Sequence, residues 1–191
     1  QAEVTDASVN NPSGTTITNG STKFAVDLDS GGPYTVINAG TISTVTTNEH
    51  RISGIEIDSV VLTTLTNTGV ISAQEQGSTR DRARGVNLFG NNAHASIGTL
   101  TNSGTISGTV VDDRAYGVYL YAYSKNSTLT TLTNSGTISG TTYDIFNDRG
   151  QVIVNFNNQQ GKKGNDVLDQ WKVLITSALN QLNTDLNITD P

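Results

Sequence analysis

The ten residues TLTNSGTISG at Thr99–Gly108 recur without a change at Thr131–Gly140, and looser copies lie at Thr64–Ala73 and Val36–Thr44. The copies share an Asn-x-Gly triplet that begins at Asn38, Asn67, Asn102 and Asn134, at intervals of 29, 35 and 32 residues. An anchor that stays constant while the interval drifts indicates stacked structural units with insertions in the loops between them.

A second anchor recurs between the triplets. It reads AVDL at Ala25–Leu28, GIEI at Gly54–Ile57, GVNL at Gly85–Leu88 and GVYL at Gly117–Leu120. Both anchors alternate apolar and polar residues, which is the period of a strand with one buried face. Asn and Gly tolerate left-handed backbone and tight turns, so we interpret Asn-Ser-Gly as a corner where the Asn of one coil can hydrogen-bond to the Asn of the next. The sequence therefore predicts an all-β parallel β-helix of about four or five coils.

The sequence divides into four segments. Residues 1–13 are predicted as an N-terminal extension or first cap, 14–158 as the β-helix, 159–165 as a linker, and 166–191 as an amphipathic helix with a tail. Apolar residues at helical spacing from Val167 to Leu186 indicate the helix. We interpret it as a cap, because an uncovered last coil can pair with another molecule. The alternative is a connector used for membrane contact, oligomerisation or entry into a transporter pore.

Composition restricts the function classes. Of the 191 residues 34% are hydrophobic and 15% are charged, and the formal net charge is −6. This acidic balance argues against nucleic-acid binding, which needs clustered Lys and Arg to neutralise phosphates. There is no cysteine, which suits an oxidising exterior, and no apolar run approaches the ~18–20 residues of a membrane span. Because the sequence starts at Gln1 without a charged-then-apolar leader, we expect a mature chain after signal removal or an excised piece.

Stacking of the second anchor places four carboxylates of the first two coils on one outward patch. They belong to Asp27, Asp29, Glu56 and Asp58. Like charges opposed across strands are unfavourable, so the patch either sits in screening water or holds a hard cation such as Ca²⁺, whose ligands are oxygens. Apart from this Ca²⁺ alternative, no cofactor is predicted.

The later coils make the same outward face aromatic. Phe89, Tyr119, Tyr121 and Tyr123 are the predicted ligand-binding residues. Grouped exposed apolar side chains often mark binding surfaces, and Tyr offers a flat face with a polar tip to sugar rings or partner proteins. The alternative is that a loop, residues 91–96, covers these rings.

A third column lies three residues before each anchor glycine. It consists of Arg51, Arg82 and Arg114, which follow His50, Asp81 and Asp113. We predict that Asp–Arg pairs along this column form a ladder of ion pairs, each stabilising the fold by about 0–1 kcal/mol.

No pattern in the sequence indicates catalysis. Paired-carboxylate hydrolysis needs two groups facing each other across a cleft, whereas adjacent residues such as Asp112 and Asp113 point to opposite faces of a strand. No G-x-S-x-G nucleophile motif is present, and the two histidines lack metal-ligand spacing. We therefore predict a protein without enzymatic activity.

The repeat TLTNSGTISG joined to GVYL resembles the passenger domains of autotransporters, the type V secreted adhesins of Gram-negative bacteria. The resemblance covers about Thr15 to Asn158. It implies a right-handed parallel β-helix displayed outside the cell and acting in adhesion, autoaggregation or biofilm formation. The membrane barrel of that family has no counterpart in this sequence, so membrane contact is expected only through a barrel or transporter outside this chain. Filamentous-haemagglutinin-like exoproteins, which use a separate transporter, are the alternative resemblance.

The resemblance and the aromatic face predict a secreted or surface-displayed adhesive module. Its expected partner is a host-surface protein, a glycan or another copy of itself. One alternative is a polysaccharide-degrading enzyme, because pectate lyases and polygalacturonases are also parallel β-helices. Another is a structural stalk that holds a different domain away from the cell.

Overall fold

A computed structural model describes residues 2–19, 23–47, 51–77, 82–111 and 113–152. Within these ranges the chain forms seventeen β-strands in three parallel sheets. No helix long and apolar enough to cross a membrane occurs among the residues described.

The chain visits the three sheets in order, so that three consecutive strands make one turn of a solenoid. Sheet A contains β1 (Val4–Thr5), β4 (Phe24–Leu28), β7 (Arg51–Asp58), β10 (Arg82–Gly90), β13 (Arg114–Ala122) and β16 (Tyr143–Asp148). Sheet B contains β2 (Val9–Asn11), β5 (Tyr34–Asn38), β8 (Val61–Asn67), β11 (Ala95–Asn102), β14 (Ser127–Asn134) and β17 (Gln151–Val152). Sheet C contains β3 (Thr16–Thr18), β6 (Thr41–Thr46), β9 (Val70–Glu75), β12 (Thr105–Thr109) and β15 (Thr137–Gly140).

This topology confirms the predicted all-β parallel solenoid. Four turns of longer strands, β4 to β15, follow one turn of short strands, β1 to β3, and β16 and β17 begin a further turn. The segment 1–13, predicted as an extension or first cap, supplies the first two of the short strands. The end of the predicted β-helix (153–158), the linker (159–165) and the predicted helix (166–191) lie outside the described residues.

Strand register confirms both sequence anchors. Val26, Ile55, Val86 and Val118 occupy one inward column of sheet A, and Leu65, Leu100 and Leu132 occupy one of sheet B. All of them are 0–1% exposed. Burying such a side chain is worth ~1.5–3 kcal/mol. The apolar core is therefore continuous along the solenoid axis.

The corner between sheets B and C carries a ladder of buried asparagines. The Nδ2 of Asn38 donates to the Oδ1 of Asn67, Asn67 donates to Asn102, and Asn102 donates to Asn134, each at 2.7 Å. This confirms the predicted contact between corner asparagines. Asn11 adds a rung by donating to Asn38 at 2.7 Å. The triplet pattern missed Asn11 because its corner reads Asn-Pro-Ser-Gly instead of Asn-x-Gly.

The corner glycines permit close approach between turns. Among the described glycines, a positive φ angle occurs at Gly14, Gly31 and Gly32, none of which is the glycine of an Asn-x-Gly triplet. Left-handed backbone therefore does not explain why the triplet has a glycine. A Cβ built on Gly104 would instead lie 2.1 Å from the carbonyl oxygen of Gly69. The corner was predicted correctly, but the reason for its glycine is the carbonyl of the preceding turn.

Candidate functional site

The outer face of sheet A is largely buried under its own long side chains. Glu56, Arg84, Asn87, Tyr116 and Tyr119 are only 1–5% exposed. The third position of the second anchor, which is Asp27, Glu56, Asn87 and Tyr119 in successive turns, is in register along sheet A. Its last three members lie on the outer face but are not exposed, because neighbouring side chains cover them.

The glycine of the second anchor shifts the alternation of side chains by one residue. Before Gly85, the side chains of Arg82 and Arg84 lie on the outer face, while Ala83 packs into a small second core with Ile52 and Ala115. After Gly85, the side chains of Val86 and Leu88 enter the main core. Residues 84 and 87 therefore share the outer face although they are three positions apart.

Seven aromatic side chains form one cluster on this face, across β10, β13 and β16. They are Phe89, Tyr116, Tyr119, Tyr121, Tyr123, Tyr143 and Phe146. Rings of successive turns stack in parallel. The centroids of Phe89 and Tyr121 are 5.4 Å apart with an interplanar angle of 2°, and those of Tyr119 and Phe146 are 5.5 Å apart with an angle of 4°. Such pairs contribute ~0.5–1.5 kcal/mol beyond area burial, so the cluster is held in a defined geometry.

The four predicted ligand-binding residues all belong to this cluster. Phe89 and Tyr121 are half-buried, and Tyr123 is 64% exposed. Tyr119 is covered by neighbouring rings and by the guanidinium of Arg84, whose Cζ lies 4.6 Å from the ring centroid. The Tyr119 hydroxyl donates to Asp148 Oδ2 at 3.3 Å, and burial raises its pKa to about 12. Tyr119 thus supports the site from beneath, while Phe89, Tyr121 and Tyr123 are accessible.

The arginine column is in register, as predicted, but its ion pairs differ from the expected ladder. Arg51, Arg82 and Arg114 occupy one position on three successive strands. Arg114 forms the predicted ion pair with Asp113, at 3.9 Å, whereas Arg51 Nη2 bonds Glu56 Oε1 at 2.6 Å. His50 and Asp81 lie outside the described residues.

Arg84 lies beside this column and is 3% exposed. Its Nε and Nη1 are buried and have no hydrogen-bond partner. Burial lowers its pKa to about 10, against an opposing effect of Glu56. Arg84 therefore remains a cation at neutral pH and forms a cation–π contact with the Tyr119 ring.

Together these side chains enclose a groove of about 320 Å³, which we call the arginine–aromatic groove. It is lined by Arg51, Arg82, Arg84, Arg114, Tyr116, Tyr119, Tyr121, Phe146 and Asp148. Its volume is at the lower end of the ~300–1,000 Å³ typical of small-molecule sites. Four guanidinium groups face one carboxylate, so the groove suits a small polar or anionic ligand.

Sequence analysis missed several lining residues, among them Arg84, Tyr116, Phe146 and Asp148. Arg84 and Tyr116 precede the anchor glycines, where strict alternation counted from the core would place them inside. Phe146 belongs to a fifth copy of the anchor, in which Asp144 replaces the glycine and Ile145 pairs with Val118. The interval of 27 residues from Gly117 to Asp144, close to the 29–32 between the earlier copies, is the signal that could have revealed it.

The predicted carboxylate patch surrounds a second, more open cavity of about 240 Å³, on the first two longer turns. Asp27, Asp29, Glu56 and Asp58 all line it, together with Lys23 and Arg51. Glu56 is bonded to Arg51, to Ser53 Oγ at 2.8 Å and to Asn87 Nδ2 at 2.7 Å. Burial raises the pKa of Asp27 to about 7, with further contributions from Glu56 and Asp29.

No group of three or more His, Asp or Glu side chains arranged to hold a metal ion occurs within the described ranges. Glu56, the buried member of the predicted Ca²⁺ set, accepts hydrogen bonds from protein donors with both carboxylate oxygens. The Ca²⁺ alternative at Asp27, Asp29, Glu56 and Asp58 stays a prediction.

No protein-family model, no curated protein and no solved structure matches this chain.

Proposed function

We propose that this chain is a non-catalytic adhesive module that binds a glycan through the arginine–aromatic groove. The observation that supports the proposal is a cavity of about 320 Å³ bounded by stacked aromatic rings and by arginine side chains. Sugar rings pack their apolar faces on aromatic rings, and their hydroxyls accept hydrogen bonds from guanidinium groups. Half-buried Phe89 and exposed Tyr123 contact the lining residue Tyr121 and extend the same surface beyond the cavity.

A glycan array combined with sedimentation velocity tests this function. We expect the wild-type protein to bind at least one class of glycan, and Tyr121→Ala to weaken that binding by about tenfold, since one ring face is lost. The control is Ile37→Ala, which removes an apolar side chain that is 46% exposed. Ile37 lies on β5 of sheet B, whereas the groove is on sheet A. Binding of a host-surface protein or self-association without glycan binding would replace the glycan as the partner.

A polysaccharide-degrading enzyme is the second candidate. Arg84 and Tyr119, which both have shifted pKa values, lie in the groove with Asp148, and perturbed titratable groups cluster at functional sites. Release of reducing or unsaturated ends from pectin-like polymers would favour the enzyme. Neither binding nor turnover would favour a structural stalk.

The location outside a bacterial cell is proposed from the resemblance to autotransporter passenger domains. Protease shaving of intact cells that express the full-length protein is the test. We expect the repeat region to be digested from outside, whereas protection in intact cells and digestion only after lysis would contradict surface display.

Two finer features of the fold are also proposed. From the resemblance, the turns wind in the right-handed sense; from the helical spacing of its apolar residues, the segment 166–191 forms a helix with a tail, and this helix caps the solenoid or connects it to another domain. Comparing the circular dichroism of the full chain with that of a chain ending at Gly164 tests the helix. We expect the difference spectrum to be helical, and a featureless difference would rule the helix out.

A further inference from the structure

The charge of Arg84 is poorly compensated by its own protein. The ion pairs within the described residues are Arg51–Glu56, Arg114–Asp113 and Arg149–Asp148, and Arg84 is in none of them. Its Nε and Nη1 are buried without an acceptor. A buried polar group normally has a partner, and a buried charge without one costs stability. This arrangement therefore needs an explanation.

Glu56, the carboxylate with the largest effect on the pKa of Arg84, does not supply the missing hydrogen-bond partner. Glu56 Oε1 accepts from Arg51 Nη2 at 2.6 Å and from Asn87 Nδ2 at 2.7 Å, and Oε2 accepts from Ser53 Oγ at 2.8 Å. Three donors, none of them from Arg84, therefore already bond the Glu56 carboxylate. Asp148, the carboxylate that lines the groove, bonds the Tyr119 hydroxyl at 3.3 Å and lies 3.5 Å from Arg149.

The groove concentrates positive charge on an acidic chain. Arg51, Arg82, Arg84 and Arg114 line it in a protein whose formal net charge is −6. Arg82 and Arg114 are exposed at its rim, and Arg84 is buried. A ligand anion would meet the rim arginines first and the field of Arg84 at depth, where the low dielectric strengthens the attraction.

The arginines and aromatic rings that line the groove suit an anionic group carried on a sugar ring. A carboxylate is planar and matches the fork of an arginine side chain, while the rings of Tyr121 and Phe146 offer flat surfaces to the apolar face of a sugar. The volume of about 320 Å³ suits one or two sugar residues more than a folded protein segment.

We propose that the arginine–aromatic groove binds the carboxylate of an acidic sugar, a uronic or sialic acid residue, with buried Arg84 as its counter-charge. The proposal rests on the glycan-binding function above and names its ligand class. Side-chain rotation of the rim arginines admits the ligand, since rotamer changes at binding surfaces are common.

One substitution separates stability from binding. In Arg84→Met the uncompensated buried charge is replaced by an apolar chain of similar length, so the free protein should be at least as stable as the wild type. The acidic sugar should bind at least about tenfold more weakly, because a charge-assisted contact is lost. The matched control is Lys125→Met, which removes one positive charge from an exposed position outside the groove. It should leave both properties unchanged.

The probes are galacturonic acid, its methyl ester and N-acetylneuraminic acid, measured by calorimetry and by the shift of the melting temperature. The free acids should bind and raise the melting temperature of the wild type, and the uncharged ester should not. Arg84→Lys should recover part of the binding, because it restores the charge without the fork. Arg114→Met, at the exposed rim, should also weaken binding and provides a second variant if Arg84→Met does not fold.

The outcomes distinguish this inference from the proposed function. Equal binding of the acid and its ester, or of neutral glycans alone, would overturn the acidic-sugar inference and leave glycan binding intact. Binding of sulfated or phosphorylated probes in place of carboxylated ones would also overturn it. If the protein binds no glycan at all, both proposals are wrong.

Discussion

The most consequential single residues for the fold are the buried corner asparagines. Each side-chain amide before the last rung, Asn134, donates to the next rung and to a backbone carbonyl; Asn102 Nδ2, for example, bonds Asn134 Oδ1 at 2.7 Å and Thr137 O at 3.1 Å. Asn102 also accepts from Asn67 at 2.7 Å. Only a short side chain that donates and accepts can continue such a ladder, which is why the triplet is repeated so closely.

Replacing one rung should cost more stability than its own hydrogen bonds suggest. Asn102→Ala removes the side-chain donor of Asn134 Oδ1 and one donor each of the Gly104 and Thr137 carbonyls, and it removes one acceptor of Asn67. We expect a loss of about 2–4 kcal/mol in the free energy of unfolding, measured with urea. The control, Asn92→Ala, changes an exposed asparagine and should lie within ~0.5 kcal/mol of the wild type. Equal effects would contradict the structural role of the ladder.

The raised pKa of Asp27 predicts a dependence of stability on pH. In the folded state burial and nearby carboxylates raise this pKa from its ordinary value of 3.8 to about 7. Between about pH 4 and pH 7 the folded chain therefore holds a proton that the unfolded chain has released, so stability falls as the pH rises through this window.

Comparison with Asp27→Asn isolates this contribution. The variant should lose the part of the decline due to Asp27, and near pH 8 it should be more stable than the wild type by about 1–2 kcal/mol, a value reduced because water reaches Asp27. Melting temperatures from pH 4 to pH 8 provide the measurement. Parallel curves for the two proteins would show that Asp27 does not titrate in this range. In 1 M salt the difference should shrink, since neighbouring charges are then screened.

At the scale of one element, the corner between β11 and β12 depends on a contact with the turn before it. A Cβ on Gly104 would meet the Gly69 carbonyl oxygen at 2.1 Å, and backbone on both sides cannot move without breaking the ladder. Gly104→Ala should therefore destabilise the protein by about 1–3 kcal/mol or more. Ser103→Ala, at the exposed neighbouring position, is the matched control. A melting temperature of Gly104→Ala equal to that of the control would show that the corner relaxes.

Sheet A shows what its sequence pattern predicts and where that pattern stops. Alternation within GVNL and GVYL correctly predicts the inward positions of Val86, Leu88, Val118 and Leu120. It fails for Arg84 because the alternation of inward and outward side chains shifts by one residue at Gly85. Strict alternation along a strand cannot predict such a shift. Tyr119 was correctly placed on the outer face but not as buried, because much of its cover comes from Arg84 and Phe146 on the neighbouring turns. Burial of that kind depends on tertiary packing, which a strand pattern does not contain.

At the scale of the whole molecule, the outer face of sheet A changes its composition along the solenoid axis. Carboxylates predominate around the cavity on the first two longer turns. Aromatic rings and arginines line the groove on the later turns, and Arg51 of the second longer turn contributes to both sites. The repeated core keeps every turn compatible with its neighbours, while the outer face of sheet A is free to change from turn to turn. This division explains why the repeats predict the architecture well and the site only in part.

In such a stack each turn contacts only its neighbours, so energetic coupling should fall off along the axis. Leu65, Leu100 and Leu132 form one buried column, with adjacent members ~4.8 Å apart and the outer two roughly 10 Å apart. Each Leu→Ala change should cost about 2–5 kcal/mol. We expect Leu100→Ala and Leu132→Ala to be less than additive by at least ~0.5 kcal/mol, because their cavities merge.

Leu65→Ala and Leu132→Ala, separated by an intact turn, should add within about 0.5 kcal/mol. Urea unfolding of the singles and both double variants, in sulfate to keep the doubles folded, measures the two coupling energies. If the distant pair couples as strongly as the adjacent pair, a change in one turn propagates through the next. The turns would then form one cooperative unit, and energetic coupling would not be limited to adjacent turns.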